Sequence, residues 1–394
     1  MNKDYPFYFT WTTQKDAQSH RLTNITNTTL ELDDKEIIDL SSLSLQASFG
    51  LKNQVILNEI KKQIDDIPIS TPKCVYQLKE NVTKDLLSLI NLDQRGKIFF
   101  TVSGAESIEN AIKMARQIKN KTLIAARNDS YHGATLGALS LTGDWRNQEH
   151  KTIDEWTLRI PSPKDDFRAK KALQILESHK DDLTAICLET ISGANGVITG
   201  DLDWWVNIQK FCKKNDIFLI LDEVVCGFYR TSKFMASQIF SLEPDMICFS
   251  KAITGGYLPL GAVYTSSKIA QYYDENILSC GLTNYAYPLG LSALKGVLKV
   301  VNDSSFLTNL KKLEQLFFEE LRQIEKNKVV NEIRVYGMLA CIELIRPPAH
   351  NLLIENGIDC IIRDKNLILA PQLTLLESEL KFSLKRLNNY LEKL

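Results

Sequence analysis

Apolar and polar positions change rhythm again and again along this chain. Lys97 to Val102 is a β-branched and aromatic run, and beyond Ser103-Gly104 the residues Ile108, Ala111, Ile112, Ala115 and Ile118 recur at three- and four-residue steps. The first pattern predicts a strand and the second one face of a helix over about 106–119. The alternation continues through TLIAA (122–126), a helix near 168–180, TAICLET (184–190), a helix at 203–214, IFLILDEVV (217–225) and DMICFSKA (245–252). These strands are continuously apolar, the pattern of a mostly parallel sheet covered by helices on both faces. From about 288 the texture changes. Helical stretches at 289–301 and 305–326 lead into EIRVYGMLACIELI (332–345), a strand pair broken by a glycine, then LILAPQL (367–373) and a last helix at about 377–393. The expectation is an α/β protein with a large domain over 51–287, a smaller C-terminal α/β domain over 288–394, and residues 1–50 packing on the smaller one.

Composition narrows the function classes. The 394 residues are 44% apolar and 24% charged with a formal net charge of −1, so neither a nucleic-acid binder nor a membrane-surface protein is indicated, both of which need a basic excess. MNKDYPFYFTW at the start carries no long apolar stretch, and the longest apolar run, IFLIL, is far too short to span a bilayer. A cytoplasmic protein is expected. Eight cysteines without a Cys-x-x-Cys and five histidines without ligand spacing point to buried thiols and to no metal site.

In open α/β sheets ligands sit beyond the carboxyl ends of the strands. Four predicted strand ends carry polar residues directly after an apolar run: Ser103-Gly104, Glu189, Asp222-Glu223 and Ser250-Lys251. Ser103 stands three residues before Glu106, a capping-box spacing, and Gly104 removes the Cβ that would keep a ligand from the backbone. The N–H groups of that first helical turn make an anion site, although most capped turns bind nothing. No Gly-x-Gly-x-x-Gly follows the strand and no Gly-Lys-Ser/Thr closes the loop, so a dinucleotide or Walker-type site is not indicated. A lysine at a strand end is either depressed in pKa or covalently engaged, and Schiff-base chemistry uses both. A nearby acid can keep the pyridine nitrogen of pyridoxal phosphate protonated while a helix N-terminus takes the phosphate. Read singly, Asp222 is equally a turn-former and Lys251 a solvated surface residue; together with the phosphate turn they make a constellation.

Six stretches then occur in one order: SGAESIENAIKMAR, SYHGATLGALS, CLETISGANGVI, LILDEVVCGFYRTSKFMA, PDMICFSKAITGGYLPLGAV and GLTNYAYPLGLSA, over about 103–293. The chain resembles the class III pyridoxal-phosphate aminotransferases, the ω-aminotransferase group of fold type I. That resemblance implies a large domain with a seven-stranded, mostly parallel sheet. It implies that Ser103, Gly104 and Ala105 cradle the phosphate, that Tyr131 stacks on the pyridine ring with His132 beside it, and that Glu189 lies near the ring O3′ side. Asp222 would pair with the pyridine nitrogen and Val224 would pack under the other ring face. Lys251 would hold the cofactor as a Schiff base and move the substrate proton. Thr283 would reach the phosphate of a neighbouring subunit, so that a homodimer shares its active sites.

Departures from the family pattern fall outside this set. FGLKNQ (49–54) stands where a Gly-His-x-x-Pro is usual, Tyr229 and Ser232 flank Arg230-Thr231, Tyr287 replaces a histidine before Pro288, and Ile368 stands where the ornithine and acetylornithine branch has an arginine. They leave the cofactor chemistry intact and open the question of substrate. FTWTTQ (9–14) resembles the entry segment of taurine, β-alanine and related ω-amino-acid aminotransferases, which places Trp11 near the substrate. GIDCIIRDKNLILAPQL (357–373) resembles that branch and the diaminopelargonate enzymes, which makes Arg363 the carboxylate candidate and Arg230 the alternative. The expected activity is transfer of an amino group, from the terminal position of an amino acid or from an amine, to a 2-oxo acid by a ping-pong course. Alternatives are a diaminopelargonate-type aminotransferase of biotin synthesis, or a lyase, decarboxylase or epimerase on the same scaffold, since the fold does not fix which bond breaks. A cofactor-free scaffold protein would have no chemical need for both Asp222 and Lys251.

Overall fold

The computed structural model describes residues 5–394. Three short strands open the chain, β1 (Leu22–Ile25), β2 (Thr29–Leu32) and β3 (Lys35–Asp39). Seven more build the large sheet: β4 (Lys97–Thr101), β5 (Leu123–Arg127), β6 (Thr157–Ile160), β7 (Leu183–Glu189), β8 (Phe218–Asp222), β9 (Met246–Phe249) and β10 (Gly261–Thr265). Their order across the sheet is β4-β10-β9-β8-β7-β5-β6. Every pair is parallel except the two made by β10, which runs antiparallel to both β4 and β9. The central strands β7 and β8 are buried at every position. Burial on both faces is why their sequences read as unbroken apolar runs.

Helix 104–119 lays Ile108, Ala111, Ile112 and Ala115 on one face of this sheet. On the other face, Trp204, Trp205 and Ile208 of helix 202–215 pack with Ala172 and Leu176 of helix 170–179. Helix 288–301, which the sequence reading assigns to the smaller domain, lies against helices 54–65 and 77–90.

The C-terminal strands are β11 (Val330–Tyr336), β12 (Leu339–Leu344), β13 (Ile358–Asp359), β14 (Ile361–Arg363) and β15 (Asn366–Leu369). Four form an antiparallel sheet in the order β11-β12-β15-β14. The fifth, β13, leaves it and pairs in parallel with β3, setting Asp359 opposite Asp39. N-terminal and C-terminal segments therefore share a sheet. After β3 the backbone turns sharply through Ser42, Leu43, Ser44 and Leu45, at φ 49°, 47°, 61° and 73°. Four successive left-handed residues with side chains cost about 1–2 kcal/mol each. Asp39 holds the turn by accepting from Ser41 N–H, the Ser41 hydroxyl and Leu43 N–H, while the Ser42 hydroxyl donates to the Ala370 carbonyl.

Candidate active site

The parallel register brings the predicted strand ends side by side. Glu189 closes β7 directly opposite Asp222, which closes β8, and the chain leaves β9 through Ser250 into Lys251. All four residues line a cavity of about 480 Å³, joined by Gly104, Ala105, Tyr131, His132 and Val224.

Asp222 is buried at 5% exposure and its two oxygens have separate partners. Val224 N–H donates to Oδ1 at 3.0 Å, and Oδ2 lies 2.8 Å from Nδ1 of His132. His132 is itself buried, and its Nε2 has no hydrogen-bond partner among the described residues. Glu189 is fixed from behind: Arg127 Nη2 donates to its Oε1 at 3.0 Å, and the same oxygen accepts from Tyr131 N–H at 3.1 Å. Arg127 is buried too, so this ion pair is held by geometry in a low-dielectric setting rather than at a screened surface.

Lys251 sits at φ 49°, a left-handed backbone that a lysine does not adopt for comfort. It is half-buried, with part of its surface on the cavity. Protein packed around it nevertheless pushes its ammonium below the ordinary lysine range, with Asp222 and Glu189 opposing the shift. A lysine so placed is a better nucleophile and base near neutral pH than one in water.

The anion end of the cavity is the start of helix 104–119. Ser103 caps it, its hydroxyl accepting from Glu106 N–H at 3.2 Å. The Glu106 carboxylate reaches back to Val102 N–H, one residue before the cap, instead of to Ser103 itself. The N–H groups of Gly104 and Ala105 have no partner inside the helix and lie on the cavity lining. A Cβ on Gly104 would stand 3.0 Å from both methyl groups of Val224, closing the gap between cradle and cavity floor. Gly133, at φ 133°, lets the loop of Tyr131 and His132 seat against Ala105, where a Cβ would come within 2.6 Å.

The family model described as aminotransferase class-III matches residues 16–391. The chain is a class III aminotransferase. It is 33% identical over 273 residues to the acetylornithine aminotransferase of Methanothermobacter thermautotrophicus, covering 68% of this chain and 67% of that protein. It is 28% identical over 384 residues to the adenosylmethionine-8-amino-7-oxononanoate aminotransferase of Methanocaldococcus jannaschii, covering 84% and 83%. Among solved structures, the taurine:2-oxoglutarate aminotransferase of Bifidobacterium kashiwanohense, in complex with PLP and glutamate, superposes with a TM-score of 0.91 over 98% of this chain and 94% of that one, at 28% identity. The aminotransferase is thus a pyridoxal-phosphate enzyme of fold type I, and a lyase, decarboxylase or epimerase on the same scaffold is not favoured.

The residues of this aminotransferase fit the cofactor on their own chemistry. A cradle of open N–H groups suits a phosphate, a buried carboxylate suits a ring cation, and a lysine of lowered pKa suits an imine. Trp11 and Arg363 also line the cavity, Trp11 edge-on to Tyr131 with ring centroids 6.4 Å apart. Three candidates lie elsewhere. Ser103 acts through the cap, and Thr283 is exposed, outside the cavity of its own chain. Arg230 is buried away from the cavity, its guanidinium donating to the carbonyls of Met338 and Pro371 and the hydroxyls of Ser42 and Ser48. Those four acceptors take up its terminal N–H groups away from the cavity.

Sequence reading missed Arg127, Arg146 and the Ser44-Leu45 wall. Arg127 ends β5 beside its partner strand β7, directly after the apolar run TLIAA, so the strand-end signal that marks Glu189, Asp222 and Lys251 could have found it. Arg146, in GDWRNQ, lies in a loop where no periodicity applies; its tryptophan neighbour is the one signal that could have drawn attention to it.

Proposed function

We propose that this aminotransferase moves the amino group of an amino acid or amine, at a terminal position, to a 2-oxo acid in two alternating half-reactions, in the cytoplasm and as a homodimer. The observation that carries the residue roles is the convergence of Lys251, the Asp222–His132 pair and the open helix start on one cavity. When bound, pyridoxal phosphate supplies an electron sink for the carbon that bears the amino group.

Gly104 and Ala105 N–H groups would hold the phosphate, with the helix dipole adding to the attraction. Asp222 would keep the ring nitrogen protonated, and His132 Nδ1 orients that carboxylate as in other base–orienter pairs. Tyr131 and Val224 would confine the ring from its two faces, and Glu189 would sit beside it, its position set by Arg127. Lys251 Nζ would carry the cofactor and then take and return the proton at the substrate carbon. Trp11 would close the substrate side, and Arg363 would receive a carboxylate. Thr283, exposed on its own chain, is available to a second subunit's phosphate. In support of a non-membrane protein, no helix among the described residues is long and apolar enough to cross a bilayer.

Incubating the purified protein with a matrix of amines and oxo acids tests the reaction, and borohydride reduction followed by peptide mapping tests the lysine. We expect label on Lys251 alone; label on another lysine would overturn its role. Mixing Lys251→Ala with a disabling Thr283 variant should restore activity if sites are shared. No recovery, with subunit exchange demonstrated, would count against the shared site.

A further inference from the structure

Past Glu189 the chain makes a closed loop before helix 202–215. Ser192 N–H donates to the Ile198 carbonyl at 2.9 Å, and Ile198 N–H donates to the Ser192 hydroxyl at 3.2 Å, so the neck of the loop is shut. The tip between them, residues 193–197, makes no backbone–backbone hydrogen bond among the described residues. It also carries strain. Val197 is buried at φ 56°, a left-handed backbone that a β-branched residue adopts only when its surroundings impose it. This loop is part of the cavity wall, to which it contributes Ile191 and Ala194.

Among the described residues, two side-chain contacts hold the tip. On the cavity side Asn195 Nδ2 donates to Asp144 Oδ2 at 3.1 Å. On the far side Arg334 of β11 donates from Nε to the Gly196 carbonyl at 2.7 Å, the length of a charge-assisted bond. Arg334 is itself fixed. Its Nη1 is shared by Glu332 and Glu343, its Nη2 reaches Cys341 Sγ at 3.3 Å and Asn366 Oδ1 at 3.4 Å, and only 14% of its side chain is exposed. Strand register sets this up, placing Arg334 opposite Cys341 and Glu332 opposite Glu343 across β11 and β12. With both terminal nitrogens held, the planar fork fixes where Nε–H points, and it points at the loop. The same sheet reaches the cavity from its other edge, where β14 contributes Ile361 and Arg363.

We propose that Arg334 is a positioning residue for the substrate side of the cavity. Its Nε–H holds the strained loop at Gly196 and so keeps Ile191 and Ala194 at a fixed spacing from β14. The contact governs substrate binding and leaves cofactor binding alone, because Lys251, Asp222 and the open helix start are carried by other segments. The proposal rests on the reading of this cavity as the transamination site.

The experiment uses the holoenzyme with 3-aminopropanoate as donor and 2-oxoglutarate as acceptor. Two further readouts accompany the kinetics: titration of the visible cofactor band with pyridoxal phosphate, and hydrogen–deuterium exchange of the peptide spanning 190–200. In Arg334→Lys the positive charge beside Glu332 and Glu343 remains while the planar fork is lost. KM for both probes should rise roughly tenfold, with kcat and cofactor affinity changed by less than about twofold, as expected for a lost binding contact. The Ser192 and Ile198 amides should exchange faster. Glu343→Gln is the control: it keeps Glu332 on Nη1 and Nε–H on the Gly196 carbonyl, so KM and exchange should stay as in wild type. Unchanged KM and exchange in Arg334→Lys would overturn the proposal, and so would a Glu343→Gln variant that raised KM as much as Arg334→Lys. A parallel fall in kcat and cofactor affinity, with exchange unchanged, would also overturn it and leave Arg334 as support for the fold. If wild-type protein moved no amino group between these probes, the terminal-amino reading would fall, while exchange at Ser192 and Ile198 would still decide whether Arg334 holds the loop.

Discussion

Arg230 and Arg363 are both arginines drawn from the same sequence reading as carboxylate candidates, and the structure sends them to opposite fates. Arg230 is enclosed at the seam between the first fifty residues, the large sheet and the C-terminal strands, with four neutral oxygens filling its fork. Burial works against its charge and Asp39 nearby offsets part of that cost. Arg363 lies on the cavity with a buried Nε that has no hydrogen-bond partner among the described residues. A buried polar group left open inside a cavity waits for a ligand, whereas one closed on all sides holds the fold. Charge and residue type do not separate the two roles; the count of unmet hydrogen bonds does.

The open region should therefore lose chemistry, and not stability, when its groups are removed. Lys251→Ala deletes a desolvated ammonium, so the melting temperature of the cofactor-free protein should not fall. Turnover should fall by about 10²–10⁴-fold from the lost proton transfer alone, and further for want of the covalent anchor. The visible absorption band of the bound cofactor should disappear with it. Asp222→Asn comes next. The phosphate cradle remains, so cofactor should stay bound while turnover drops on the order of a hundredfold or more. Near-normal turnover in that variant would remove Asp222 from the ring nitrogen.

Much of the fold around the open region was legible in the sequence, but not the contrast between the two arginines. Continuous apolar runs located β4, β5, β7, β8 and β9, because strands buried on both faces are mostly apolar on both. The same logic located the functional strand ends, since a polar residue directly after such a run is out of place structurally. β10 escaped, being five residues that begin with glycine, and β1 and β2 escaped because their positions are largely exposed or half-buried. For the site, one-dimensional order cannot show which side chains share a cavity. Arg146 is more than a hundred residues from Lys251, and only packing of its loop under the N-terminal arm makes them neighbours. Nor could the sequence tell that Arg230 would meet acceptors from both ends of the chain.

The closed region should respond in the reverse way. Arg230→Met leaves the carbonyls of Met338 and Pro371 and the hydroxyls of Ser42 and Ser48 without their donor. Each buried acceptor left without a donor costs about 1–3 kcal/mol, visible as a lower urea midpoint. Activity per folded molecule should suffer far less than in Asp222→Asn, because Arg230 reaches the cavity only through the Ser44-Leu45 wall. A variant of unchanged stability and lost activity would put Arg230 back among the binding residues.

The smallest expected effect concerns Asp39, the acid next to that seam, and its sign follows from its surroundings. Burial raises its pKa from 3.8 to about 6, hydrogen bonds from Ser41 pulling it back and Asp359 pushing it further up. The folded state thus holds the proton more tightly than the unfolded chain. Below about pH 4 both states are protonated and nothing depends on this group. Between about pH 4 and 6 the unfolded chain ionises first, so stability falls as the pH rises, and above 6 the loss is complete. A rise of about two units is worth on the order of 1–3 kcal/mol across that window. Asp39→Asn cannot ionise, and its melting temperature between pH 4 and 6 should lack the downward contribution present in wild type. The amide oxygen can accept from Ser41 as Oδ1 does, but the amide NH2 then replaces Oδ2 and leaves Leu43 N–H without its acceptor, so the variant should be less stable at every pH and the slope between about pH 4 and 6 is the readout. Identical pH profiles for the two proteins would mean that Asp39 titrates alike in the folded and unfolded chains, and that the seam carries no charge penalty from it.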